Sequence, residues 1–80
     1  MADHSTVSGM AALSICEALM LALNDANVLP ETEIMGVLKD AAMTHEQAEG
    51  SDADLERHRA AADLINRIIS GGNSVRRRAR

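Results

Sequence analysis

Two histidines are the residues whose type and spacing come closest to a chemical site. His45 and His58 each fall near the middle of an apolar helical face, on two consecutive segments that meet at Gly50-Ser51. A hairpin folded at that point brings residue 45 opposite roughly residue 56 or 58, so the two imidazoles can meet. With an acid such as Glu46, Glu49 or Asp54, or with Cys16 from the first segment, they would supply the imidazole, carboxylate and thiolate donors that zinc or iron uses. Against that stands the absence of HExxH, of Cys-x-x-Cys and of the ExxH pairs of carboxylate-bridged bundles. The plainer expectation is a pair of partly buried rings that bond each other or a hydroxyl such as Thr44 and so set the register of the hairpin. No cofactor is expected.

Cys16 is the sole cysteine, which excludes an intrachain disulfide and fits a reducing compartment; the cytoplasm is the expected location. It lies on the apolar side of its helix with no charged neighbour to activate it, so it reads as a buried structural thiol. Nothing places two carboxylates in a dry cleft, and no catalytic motif is present, so an enzyme is not expected. Met10 and Met20 read as core, Met35 and Met43 as surface contacts.

Arg76, Arg77, Arg78 and Arg80 form the one strong charge asymmetry. The chain carries a net charge of −4, and without these four arginines the rest stands at −8. Such a tail can hold phosphates by electrostatics alone. An acidic body repels the same polyanion, and the lack of any Phe, Tyr or Trp removes the stacking surface that single-stranded nucleic-acid modules use. Nucleic-acid binding through the tail therefore ranks third among the functions considered, behind a metal or small-ligand protein built on His45 and His58.

The elements that would position these groups read as an all-α protein of three helices. The first covers about residues 6–27, capped by Ser5, Thr6 or Ser8. The second covers about 30–49, entered at Pro30 with Glu31 and Glu33 in its first turn. The third covers about 52–70, with Gly50 and the capping-box-like Ser51-x-x-Asp54 before it and Gly71-Gly72-Asn73 after it. The second and third make an antiparallel amphipathic hairpin, the second burying Ile34, Val37, Leu38, Ala41 and Ala42, the third Leu55, Ala61, Ala62, Ile65, Ile68 and Ile69. Residues 1–5 and 73–80 read as tails around one domain, 6–72.

The first helix is the unusual one. Leu13, Cys16, Met20 and Leu23 share one side, flanked by Ile15, Leu19, Ala22 and Ala26, and only Ser14, Glu17, Asn24 and Asp25 define a polar stripe, with Leu21 in its middle. Its longest apolar stretch, Gly9 to Leu23, is interrupted by Ser14 and Glu17 and falls short of a comfortable bilayer span, so no membrane segment is expected. A helix so apolar around its circumference needs cover from several directions, and two short neighbours in one chain hardly provide it. The expectation is a homodimer, or a complex with a partner protein, joined through Leu13, Leu19, Met20, Leu21 and Leu23.

Overall fold

The computed structural model describes residues 3–71, which form three α-helices and no strand: α1 (His4–Asp25), α2 (Glu31–Glu46) and α3 (Asp52–Gly71). The protein is all-α, and Arg76, Arg77, Arg78 and Arg80 lie outside the described residues.

Helix α1 begins at His4, ahead of the expected start, because Asp3 and not a downstream hydroxyl is its cap. The Asp3 carboxylate accepts from the Thr6 amide and from the Thr6 hydroxyl, both at 2.9 Å, which satisfies one of the orphan N–H groups of the first turn. The helix stops at Asp25, where Asn27 takes a left-handed φ of 60° and the Val28 and Leu29 amides both fold back onto the Leu23 carbonyl. Asparagine tolerates that conformation better than other side chains bearing a Cβ. Asn24 completes the turn by donating from Nδ2 to the Leu29 carbonyl at 3.1 Å.

Helix α2 starts without a side-chain cap behind Pro30, with Glu31 and Glu33 in its first turn on the favourable side of the dipole. It ends at Glu46, earlier than its apolar pattern suggests, since the Ala48 amide turns to the His45 carbonyl in a tightened last turn. Gly50 then adopts φ 148°, and a Cβ built there would meet Asp54 at 3.1 Å, so this position requires glycine. The Ser51 hydroxyl accepts from the Asp54 amide at 3.2 Å, while the Asp54 carboxylate takes hydrogen bonds from the Ser51 hydroxyl and amide. That is a reciprocal capping box with aspartate in the glutamate position.

The core is small and belongs mostly to α2 and α3. Ile34, Leu38, Ala42 and Ala62 are the buried apolar residues. Around the Ile34–Leu38 ridge pack Ile65, Ile68 and Ile69 of α3, Met35 of α2 itself, and Met20 and Leu29 from the end of α1 and the turn after it. Val37, expected inside, is half exposed at 53%. Its place on the edge of the α2 stripe leaves it outside the strip that α3 covers.

Ile34 is 1% exposed and central to that cluster. Ile34→Ala is expected to cost about 2–5 kcal/mol in chemical denaturation, against less than about 1 kcal/mol for Val37→Ala. Hydrogen bonds from the Thr6 amide and hydroxyl hold the Asp3 carboxyl below its ordinary value of 3.8, and the Arg57 guanidinium, then Ser51, do the same for Asp54. A carboxylate whose folded value is depressed stabilises fully above the ordinary value and loses that contribution as the pH falls through the lowered one. Acidification below about pH 4 is therefore expected to fray the first turns of α1 and α3 before the rest, read as loss of amide protection at Thr6 and Asp54.

Candidate functional site

The sequence placed two imidazoles face to face, and the structure brings them together. His45 sits in the last turn of α2 and His58 in the second turn of α3, both half-buried, with their Nδ1 atoms 2.9 Å apart. The ring centroids are 5.1 Å apart and the planes tilt by 34°. The centroid separation exceeds the nitrogen separation by nearly two ring radii, so the nitrogens point at each other. One Nδ1–H donates and the other Nδ1 accepts, and the bond exists only while at least one ring is neutral.

This head-on geometry is that of a shared proton. A tetrahedral zinc ion with ligands at about 2.0–2.1 Å would spread two ring nitrogens to about 3.3 Å, with both lone pairs converging on the ion. The rings would have to turn to do so. Among the described residues no group of three or more His, Cys, Asp or Glu side chains is placed to hold a metal. Beside the pair an open cleft of about 220 Å³ is lined by His45, Glu46, Leu55, Arg59, Ala62 and Asp63, among others. Small-molecule sites are usually larger, about 300–1,000 Å³, and more enclosed.

The Arg57–Asp54 ion pair, 2.6 Å long, lies in solvent within the first turn of α3, where such pairs add little. Asn66 reaches Glu46 at 3.3 Å on the exposed side of the α2–α3 contact. Neither forms a site.

Cys16 corrects the expectation of a buried thiol: it is exposed, because no described residue covers the face of α1 that carries it. Met10 is likewise exposed, at 64%, whereas Met20 and Met35 pack on the Ile34–Leu38 ridge.

Helix α1 is where the largest apolar surface lies. None of its residues is buried, and the half-buried ones are Glu17, Met20, Leu21, Leu23 and Asn24. Glu17, Met20, Leu21 and Asn24 follow helical spacing and form the stripe nearest the rest of the chain. The helix thus turns a stripe that mixes Glu17 and Asn24 with Met20 and Leu21 inward, toward the turn that Asn24 ties, and leaves Leu13, Ile15 and Leu19 open to water. Of the five residues expected at an interface, Leu13 and Leu19 are exposed, the latter at 59%, Leu21 and Leu23 are half-buried, and Met20 serves the chain's own core. Ile15, 64% exposed, belongs with Leu19 on the outward face and was not among the five. Exposed Val7 extends the apolar surface toward the N-terminal end of α1.

The expectation that this segment falls short of a bilayer span does not hold for α1 by length and composition alone: it is long and apolar enough to cross one, with a mean hydropathy of 1.7 over an 18-residue window. Comparison with protein-family models, with curated proteins and with solved structures finds no match for this chain.

The histidine bond makes a measurable coupling. In a double-mutant cycle of His45→Leu and His58→Leu at pH 7.5, the pair is expected to show about 0.5–1.5 kcal/mol of interaction energy, unchanged by EDTA. Coupling that EDTA abolishes would assign the contact to a metal ion.

Proposed function

We propose that this protein is a small non-enzymatic interaction module that works as a homodimer in the cytoplasm. In this reading α2 and α3 are an antiparallel hairpin whose register the His45–His58 bond helps to fix, and α1 is the association element. Leu13 and Leu19 supply exposed contacts, Leu21 and Leu23 border them, and Met20 anchors the helix to its own hairpin.

The observation that carries the reading is the inverted orientation of α1. A helix that points Glu17 and Asn24 toward its own chain and Ile15 and Leu19 toward water has its apolar face on the wrong side for a monomer. Contiguous exposed apolar surface of this kind marks interaction sites in soluble proteins. Burial of two such faces against each other removes the liability by the same hydrophobic driving force that forms a core.

A membrane is the competing cover for such a helix. Glu17 stands close to the middle of α1, and an acidic side chain at a bilayer centre costs about 2.5–3.5 kcal/mol on insertion scales. A protein surface leaves Glu17 half-buried against its own chain, on the side away from the contact.

Sedimentation equilibrium across micromolar to millimolar concentrations tests the proposal. The expected mass is twice the 8.5 kDa of one chain, falling to 8.5 kDa for Leu19→Glu with helicity retained, because Leu19 makes no core contact of its own. A wild-type mass of 8.5 kDa at the highest concentration would overturn it.

A further inference from the structure

Resting on the homodimer reading, we infer that two copies of α1 pair antiparallel about a two-fold axis beside residue 17, along a seam of Ser8, Ala12, Ile15, Leu19, Ala22 and the C-cap residue Ala26. All six are exposed and none is charged. They follow one another at alternating intervals of four and three residues. That is the spacing of the two core positions in a left-handed coiled coil, where it keeps one stripe facing a second helix over its whole length. Of the half-buried residues, Glu17, Met20, Leu21 and Asn24 fall at the three heptad positions on the far side and Leu23 on the flank, so the seam keeps Leu19 and Leu23 of the contacts named above at or beside it and sets Leu13 and Leu21 outside it.

The occupant is a second copy because the seam is complementary to its own reversal. Read forward it runs small, small, large, large, small, small. Turned end for end about residue 17, Ser8 meets Ala26, Ala12 meets Ala22 and Ile15 meets Leu19 of the other copy. A two-fold interface requires this self-complementarity, since each patch must fit itself. The two large side chains of each copy fill the centre, and the small ones let the helix ends close to about 8 Å, the short limit of helix packing.

Electrostatics favours the same direction. Antiparallel helices oppose their dipoles, whereas a parallel pair aligns them and brings Asp3 and Asp25 to the same ends as their own copies. With a helix of 22 residues, about 33 Å long, the paired strips cover roughly 1,000 Å² in total, the lower bound of a specific interface.

The native thiol reports the geometry. Cys16 lies on the flank of the seam that faces its own equivalent in an antiparallel pair, with an axial offset of about 3 Å, but on opposite flanks in a parallel one. Residue 8 behaves oppositely: its two copies lie about 27 Å apart in the antiparallel register and side by side in the parallel one. The test treats the wild-type chain and the double variant Cys16→Ser/Ser8→Cys with a short bis-maleimide, at concentrations where sedimentation gives a dimer. The expected result is a covalent dimer through Cys16 in the wild type and none through residue 8. The reverse pattern would overturn the antiparallel seam, as would a dimer that neither thiol cross-links, and both outcomes leave the homodimer standing. A chain that is monomeric by mass, or that floats with phosphatidylcholine vesicles in place of cross-linking, would overturn the seam and the homodimer together.

Discussion

Everything in this protein is arranged around one short ridge, Ile34 and Leu38 of α2, pressed against the isoleucines at 65, 68 and 69 of α3. With no aromatic side chain and many alanines, the sequence has few large groups to bury, and this contact uses half of those on α2 and α3. Once α3 covers the ridge, only its end remains for α1, which is held there by Met20, by Leu29 and by the Asn24 bond to the following turn. Along the rest of α1 no residue is buried among the described residues.

That constraint ties the fold to the proposed function. A helix anchored at one end is free of packing along the other, and its orientation follows from the turn that anchors it rather than from its own apolar pattern. Because Asn24 must face that turn, the stripe it shares with Glu17 faces the same way, and Ile15 and Leu19 face outward. The histidine pair sits at the opposite end of α2, where it joins α2 to α3 beside the Gly50 turn. It is a contact between helices, with an open cleft of about 220 Å³ beside it.

Much of the helical plan was legible in the residues. The three segments follow from apolar periodicity, the break at Gly50-Ser51 from turn and capping chemistry, and the meeting of His45 with His58 from counting back across that break. The Asp3 cap escaped because three hydroxyl residues follow it closely, and each is an equally good cap on type alone. The direction of α1 escaped for a deeper reason. Its circumference is apolar almost throughout, so the pattern barely selects a face, and the deciding interaction is a single side chain, Asn24, reaching a carbonyl five residues on. The expectation of a buried Cys16 failed with it, since that expectation assumed an apolar face turned toward its own chain. The exposed apolar surface of α1 was only partly legible: Ile15, 64% exposed, was not among the five residues expected at an interface, and Met20, which was, packs on the Ile34–Leu38 ridge.

Helix α1 leaves Ile15 and Leu19 open to solvent and turns the stripe of Glu17, Met20, Leu21 and Asn24 toward the rest of the described chain. Solvent paramagnetic relaxation from a soluble nitroxide, measured on methyl groups at a concentration dilute enough for a single chain, reads this directly. The account predicts strong relaxation at Ile15 and Leu19 and weak relaxation at Met20 and Leu21. Protected Ile15 and Leu19 methyls in the isolated chain, with Met20 and Leu21 open to the probe, would contradict it.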